Sequence, residues 1–183
     1  CRGDRELARL GATIQFTWVG APSIYYGDEL GMEGLADPDN RRGMRWDLAS
    51  PSNDMLAHYK RLVAIRKASR ALQSGDPVVL ATDDQSETLA YARVLDREAV
   101  VVAVNRSSEP RTLKISSDRI RSLVNEPLVD AAAGSAAWSP SSRSLVVRLG
   151  PKSAAILCNR ATYRRAVQSL AARPAPDARR SPI

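Results

Sequence analysis

Two segments near the start of the chain carry apolar side chains at helical spacing. In residues 4–18 an apolar position recurs every three or four residues, and Asp4 stands where it can cap the first turn. Residues 54–72 have a broader apolar face behind Asp54, a second candidate cap, and a Gly-Asp-Pro sequence ends the pattern. We therefore predict helices over residues 4–18 and 54–72.

A short run of β-forming residues, 23–26, lies between the two predicted helices. A Gly-Ala-Pro sequence precedes it and a glycine follows it, so it is compatible with a buried parallel strand. Residues 27–52 form a loop far longer than the usual connection of about 2–6 residues, and we interpret it as an ordered functional loop. A single parallel strand has no neighbour to pair with, so residues 1–76 must belong to something larger.

The pattern changes after Pro77 to short β-rich runs separated by turn residues. These runs are residues 78–80, 89–94, 100–104, 111–115, 145–149 and 154–157. Their regular spacing predicts an all-β sandwich over residues 77–160, with the doubly apolar run 100–104 as a central strand. Residues 161–183 form a basic tail rich in proline and arginine. We expect this tail to be disordered, with a short helix at 161–172 as the alternative.

Charge and composition narrow the partners. The net charge is +7, of which the tail carries +4, from five arginines and one aspartate. We interpret this tail as solvated and expect no nucleic-acid partner, because few aromatic residues accompany the basic ones. No apolar run reaches the roughly 20 residues that a membrane-spanning helix needs, so we expect no membrane partner. The location stays open, with the cytoplasm favoured, and the two cysteines form no metal-type pair.

Residues 20–32, Gly-Ala-Pro-Ser-Ile-Tyr-Tyr-Gly-Asp-Glu-Leu-Gly-Met, resemble the eighth-strand region of α-amylase-family glycoside hydrolases. Residues 37–47, Asp-Pro-Asp-Asn-Arg-Arg-Gly-Met-Arg-Trp-Asp, are most similar to the neopullulanase, cyclomaltodextrinase and maltogenic amylase branch. The resemblance implies an α/β fragment followed by an all-β sandwich domain. Residues 1–76 would be the last strand and helices of a TIM-type (β/α)₈ barrel, and residues 77–160 the sandwich that follows it.

The resemblance also implies where the catalytic chemistry lies. Retaining glycosidases hold a nucleophilic carboxylate and a protonated acid about 5–5.5 Å apart, and this family adds an aspartate in an Asn-His-Asp motif. We expect all three groups to precede Cys1, because the sequence contains no Asn-His-Asp and its one histidine, His58, falls in a predicted helix. We therefore predict no catalytic residue, no metal ligand and no cofactor in this chain, and no glycosidase activity of the chain alone.

By the same resemblance Asp37 and Arg41 are the candidate substrate-binding residues, and they would hydrogen-bond glucose hydroxyls of an α-glucan or maltooligosaccharide. A carboxylate accepts from two adjacent hydroxyls, and a guanidinium donates through a planar fork. The alternative is that the two side chains pair with each other and only order the loop.

Other side chains of the two regions have a structural interpretation beside a functional one. Asp28 and Glu29 follow the predicted strand, and we favour structural bonds over acid and base roles. The pair Tyr25 and Tyr26 is expected to pack in a core. Trp46 either anchors the loop, which we favour, or stacks on a sugar ring. For Trp138 a core position and an exposed sugar platform stay open.

Two functions from different classes remain at this point. The first is the carboxy-terminal part of a retaining hydrolase that cleaves α-1,4 or α-1,6 glucosidic bonds. The alternative is a non-catalytic sandwich module that binds carbohydrate or a protein partner. Exposed edges of an incomplete barrel would also favour self-association of the chain.

Overall fold

The computed structural model describes residues 3–116, 126–132, 136–138 and 144–172. The α-helices are α1 (Arg5–Thr17), α2 (Asp54–Ala68), α3 (Arg70–Ser74) and α4 (Arg160–Ala171). The β-strands are β1 (Asp76–Asp83), β2 (Thr88–Leu95), β3 (Glu98–Asn105), β4 (Arg111–Ser116), β5 (Leu128–Asp130), β6 (Ala136–Trp138), β7 (Ser144–Leu149) and β8 (Ser153–Asn159). Single turns of 3₁₀ helix occur at Asp28–Leu30, Asp39–Arg41 and Trp46–Leu48.

The first two predicted helices form, with one correction to each end of the second. Helix α1 is capped by Asp4, whose carboxylate accepts from the Leu7 N–H at 3.0 Å. Helix α2 is capped by Asn53 rather than by Asp54. The predicted helix 54–72 is in fact two helices, because Ser69 has extended backbone and its hydroxyl accepts from the Leu72 N–H at 3.1 Å to begin α3.

The strands form the predicted sandwich. Six strands make an antiparallel sheet in the order β1-β2-β3-β8-β5-β6, and β4 pairs with β7 in a second, two-stranded sheet. Strand β3 lies inside the large sheet, as its doubly apolar pattern predicts. Strands β5 and β6 are missing from the prediction because they are three residues long and β6 lies in an Ala-rich stretch.

The large sheet is buried on both faces, so the chain has two apolar cores. One face packs against the two-stranded sheet, with Ala92, Val101 and Leu157 on the large sheet and Leu113 and Leu145 on the two-stranded sheet. The opposite face packs against the helices, through Tyr91, Val100 and Ile156 on the sheet and Leu10, Phe16, Met55 and Ile65 on α1 and α2. The helices and the sandwich therefore share a core along the whole width of β2, β3 and β8.

Residues 23–26 do not form the predicted buried strand. They belong to no helix or strand, and Ile24, Tyr25 and Tyr26 are exposed. The physical reason is that a parallel strand is stable only beside a neighbouring strand that pairs with its N–H and C=O groups, and residues 23–26 have no such neighbour among the described residues. The prediction of a strand is therefore wrong for this chain taken alone.

The tail begins as a helix. Helix α4 is capped by Asn159, whose side chain accepts from the Thr162 N–H at 2.8 Å, and it packs through Ala166 on the helical core. The short helix predicted as an alternative at 161–172 is confirmed, and residues 173–183 lie outside the described residues. Among the described residues no helix is both long and apolar enough to cross a membrane.

Candidate functional site

The candidate site is built on the connection between α1 and α2, residues 18–53. Helix α1 ends at Thr17; Gly20, three residues later, adopts a left-handed backbone, with φ of 88°, and Pro22 follows. The Gln15 side chain donates to the Ser23 carbonyl at 2.6 Å and holds the departing chain against the helix. The connection therefore starts from a defined position although it contains no strand.

Tyr25 and Tyr26 lie together at the surface of this connection. Their ring centroids are 4.8 Å apart, and the two residues are 51% and 42% exposed, so the predicted core packing is wrong here. The Tyr25 hydroxyl donates to the Asn40 carbonyl at 3.5 Å, and the Tyr26 hydroxyl donates to the Arg42 carbonyl at 2.9 Å. The two tyrosines thus join the beginning of the loop to its middle.

Asp28 and Glu29 form a single 3₁₀ turn between two left-handed glycines, Gly27 and Gly31. The Glu29 carboxylate accepts from the Gly27 N–H at 3.0 Å, which is the structural role that the sequence favoured. Partial burial raises the pKa of Asp28, and the neighbouring charge of Glu29 acts in the same direction. Gly27 has φ of 95°, a conformation that other residues rarely adopt, and a side chain there would also meet the Met32 sulfur at 2.8 Å, so the turn requires glycine.

Asp37 and Arg41 pair with each other. One Nη of Arg41 lies 2.7 Å from a carboxylate oxygen of Asp37, and the two side chains are 68% and 57% exposed. This ion pair is the contact expected under the structural alternative, in which the two side chains pair with each other and order the loop. It leaves the second carboxylate oxygen and most of the guanidinium donors free of that contact.

Two further Arg–Asp pairs follow along the loop. Arg42 pairs with Asp39, and Asp39 also accepts from the Leu35 N–H at 2.7 Å; these bonds lower the pKa of Asp39, the backbone bond most. Arg45 donates to both carboxylate oxygens of Asp47 and lowers the pKa of Asp47. The loop is therefore organised by exposed ion pairs and by its own backbone rather than by an apolar core.

A cleft of about 1040 Å³ lies between α1 and this loop. Small residues of α1, Ala8, Gly11 and Ala12, line one side. The loop lines the other with aromatic and polar side chains: Tyr25, Tyr26, Asp28, Asp39, Asn40 and Arg42. Asp37 and Arg41 do not line it, so the structure brings their neighbours to the cleft and leaves the predicted pair on the surface of the loop.

The remaining candidate residues lie elsewhere. Trp46 is 75% exposed and does not anchor the loop in this chain. The His58 Nε2 lies 3.1 Å from the Thr13 hydroxyl and 3.0 Å from the Arg9 carbonyl, which is an ordinary helix-packing role. The side chain of Trp138 lies outside the described residues. Among the described residues, no group of three or more His, Cys, Asp or Glu side chains is placed to hold a metal ion.

Sequence reasoning missed two arginines that contact the start of the connection. Arg93 lies on β2 and is 1% exposed, and Arg66 lies on α2. The only signal in the sequence is that Arg93 occurs within the apolar run 89–94, on the same face as Tyr91. A charged residue at an inward position of a strand requires a buried polar partner.

Comparison with curated protein sequences finds similar proteins, although no family model matches the chain. A cyclomaltodextrinase of Geobacillus thermopakistaniensis is 41% identical over 126 residues, which are 68% of this chain and 21% of that protein. Neopullulanase 2 of Thermoactinomyces vulgaris is 34% identical over 113 residues, 62% of this chain and 19% of its own length. The chain thus spans about a fifth of the curated relatives it matches.

Solved structures agree over most of the chain. A cyclomaltodextrinase aligns with a TM-score of 0.73 and 27% identity over 86% of this chain and 26% of that one. The debranching enzyme of Nostoc punctiforme, soaked with acarbose, aligns with a TM-score of 0.68 and 28% identity over 86% of this chain and 30% of that one. The helices and the sandwich are both part of the shared fold, since the aligned part exceeds either alone.

Proposed function

Since the chain belongs to the α-amylase family of glycoside hydrolases, we propose that it is the carboxy-terminal part of a retaining α-glucan hydrolase. The bonds cleaved by that enzyme would be α-1,4 or α-1,6 glucosidic bonds in maltooligosaccharides, cyclodextrins, starch or pullulan. The observation that carries the proposal is the 41% identity over 126 residues to a cyclomaltodextrinase. In this proposal α1, residues 22–27 and α2 correspond to the last strand and helices of a (β/α)₈ barrel.

The contribution of this chain to such an enzyme is one wall of the sugar cleft. We assign Asp37 and Arg41 to that wall as hydrogen-bonding partners of glucose hydroxyls. Both lie on the exposed surface of the loop, outside the cleft between α1 and the loop, so the sugar would bind on that surface. Their mutual contact at 2.7 Å is compatible with this role, because it occupies one of the five N–H donors of the guanidinium and one carboxylate oxygen. The pair then orders the loop before the sugar arrives and reduces the entropy lost on binding.

The chain lacks the groups that would break the glycosidic bond. Its sequence contains no Asn-His-Asp motif. The paired carboxylates Asp28 and Glu29 are adjacent in one turn, and Glu29 is engaged by the Gly27 N–H. We therefore expect no cleavage when the purified chain is incubated with maltotriose, β-cyclodextrin or pullulan. Dose-dependent release of reducing sugar that survives repeated purification would overturn this part of the proposal.

The wall can be tested by binding rather than by catalysis. We expect the full chain to bind maltotriose with a dissociation constant on the order of millimolar, because only one side of a cleft is present. Arg41→Ala should abolish this binding. Arg45→Ala is the matched control, because it removes an arginine from a neighbouring exposed Arg–Asp pair of the same loop. Equal loss of binding in both variants, or in neither, contradicts the assignment of Arg41.

A second candidate function belongs to the sandwich, which has an apolar core of its own between its two sheets. In this alternative the sandwich is a non-catalytic module that binds carbohydrate or a partner protein. The same titration separates the two functions: maltotriose binding that is unchanged in Arg41→Ala supports the module.

A related proposal is self-association of the chain, since Ile24, Tyr25 and Tyr26 are exposed beside the open cleft. Sedimentation at increasing concentration tests it, and a monomer at every concentration would exclude it.

A further inference from the structure

Helix α1 ends without a cation of its own. The last turn of the helix contains no lysine or arginine. The final carbonyls of any helix have no partner inside it, and they carry the negative end of the helix dipole. In this chain the connection that forms the candidate cleft begins directly after those carbonyls, at Trp18. A side chain that binds these carbonyls therefore also sets the position at which the connection starts.

Arg93 reaches these carbonyls from the sheet. One Nη donates to the Thr17 carbonyl at 3.0 Å and to the Trp18 carbonyl. The Nε and the other Nη donate to the Gly75 carbonyl at 3.1 and 2.7 Å, where α3 passes into β1. The guanidinium is therefore shared between the end of α1 and the start of the sandwich.

Arg66 reaches the same helix end from α2. One of its Nη atoms donates to the Phe16 carbonyl at 2.8 Å and to the Trp18 carbonyl at 3.4 Å. The other donates to the Gly20 carbonyl at 2.6 Å. Together the two arginines bond to the carbonyls of residues 16, 17, 18 and 20. These include the residue whose left-handed conformation turns the chain toward the cleft.

The two guanidinium groups are committed to main-chain carbonyls. Among the described residues no carboxylate forms an ion pair with either arginine. Burial lowers the pKa of both, which reflects the cost of holding these charges away from water. A buried charge is weak support for stability in general, because an apolar residue of similar size often stabilises as well. What an apolar residue cannot do is fix the direction of four carbonyl groups.

We propose that Arg66 and Arg93 are positioning residues, which clamp the end of α1 and thereby set the position of residues 20–47 for glucan binding. The proposal rests on the proposed function, because the cleft wall is the part that they position. In this proposal the sandwich helps to form the site, because Arg93 of β2 is the residue through which the sandwich contacts the start of the loop. Arg66 and Arg93 act through the backbone and do not touch the sugar.

Amide hydrogen exchange on the full chain tests the clamp. Arg93→Met and Arg66→Met keep an unbranched apolar side chain and remove the donors. We expect exchange of the amides of residues 16–18, the last hydrogen-bonded N–H groups of α1, to become roughly tenfold or more faster in each, because charged hydrogen bonds are lost, while exchange in β3 stays unchanged. Arg165→Met is the matched control. Arg165 donates to the Ala68 carbonyl at the end of α2, so this variant should change exchange near Ala68 and leave exchange of residues 16–18 as it is.

Unchanged exchange over residues 16–18, or equal acceleration in residues 16–18 and in β3, would overturn the proposal. If Arg93→Met does not fold, Arg66→Met decides alone, because Arg66 is less deeply buried and its loss leaves Arg93 in place. Arg93→Lys keeps the charge with fewer donors and should give an intermediate exchange rate.

A second arm of the experiment separates this proposal from the proposed function. Maltotriose affinity is measured for the wild type and for Arg66→Met at a temperature where both are fully folded. Weaker binding by the variant supports a positioning role, and equal binding contradicts it. If the wild type binds no maltotriose, the proposed function fails. The exchange data then still decide whether the arginines fix the end of α1.

Discussion

The sandwich and the loop of residues 20–47 are held by different forces. Strand β3 is buried over nearly its whole length and pairs with β2 and β8 along both edges. The loop is mostly exposed and depends on three Arg–Asp pairs, two tyrosine hydroxyls and the bonds at its two ends. Exposed pairs are each worth at most about 1 kcal/mol, whereas one buried aliphatic side chain contributes about 1.5–3 kcal/mol.

The difference indicates where stability and function lie in this chain. A substitution in the sheet should change global unfolding, while a substitution in the loop should change local order or sugar binding and leave global unfolding nearly unaltered. The bonds at the ends of the loop are intermediate, because they join the loop to the core.

The largest effect is expected for a core residue of β8. Leu157 is fully buried between the two sheets. Leu157→Ala should lower the free energy of unfolding by about 2–5 kcal/mol, since it removes apolar contact and leaves a cavity. Urea denaturation measures this, with Val146→Ala on the exposed face of β7 as the control. Similar losses in both variants would mean that the sheet is not packed as described.

A smaller effect is expected at Asn53, which ties the loop to α2. Its side chain caps α2 and also donates to the carbonyls of Leu30 at 3.0 Å and Leu48 at 2.9 Å. Asn53→Ala should cost about 1–3 kcal/mol and speed amide exchange in the loop. Asn159→Ala, which removes the cap of α4, should cost about 1 kcal/mol and leave the loop unchanged. If amide exchange in the loop is equally fast in the two variants, Asn53 does not connect the loop to α2.

The effect of pH should be carried by His58 between α1 and α2. Burial lowers its pKa below the usual 6.5, and Arg9 and Arg61 act in the same direction, while Asp54 opposes them. The unfolded chain therefore binds more protons just below pH 6.5, so stability should be complete above this pH and fall as the pH drops further. Denaturation midpoints from pH 8 to pH 5 measure this. His58→Gln should flatten the dependence, and an unchanged slope would exclude His58 as its source.

The smallest effect on stability is expected at Arg41. The Asp37–Arg41 pair is exposed, so Arg41→Ala should change the free energy of unfolding by less than about 0.5 kcal/mol. In an enzyme that contains these residues together with the catalytic carboxylates, the same change should raise KM roughly tenfold, with kcat less affected. An unchanged KM would favour the purely structural pair.

The sequence predicts the sandwich well because periodicity and burial agree there. The run 100–104 is apolar at every position, and it forms the doubly buried β3. The same reasoning fails at residues 23–26, where β-forming residues occur without a partner strand. Local preference cannot supply hydrogen bonds that only a neighbour offers.

The site is less predictable than the fold. The resemblance picks out Asp37 and Arg41, but no local pattern tells whether a charged pair on a loop faces a cleft. The contacts of Arg66 and Arg93 are harder still to predict, since each arginine is far along the chain from the α1 carbonyls that it binds, with separations of 50 residues for Arg66 and Phe16 and 76 residues for Arg93 and Thr17. Their convergence follows from the packing of α1 on α2 and on the sheet.

Sugar binding by the loop is tested most directly by mapping maltotriose binding on the full chain with amide chemical shifts. We expect the shifts to cluster at residues 25–47 and to disappear in Arg41→Ala, with β3 and β8 unaffected. Shifts confined to the sandwich, or shifts in the loop that persist in Arg41→Ala, would contradict it.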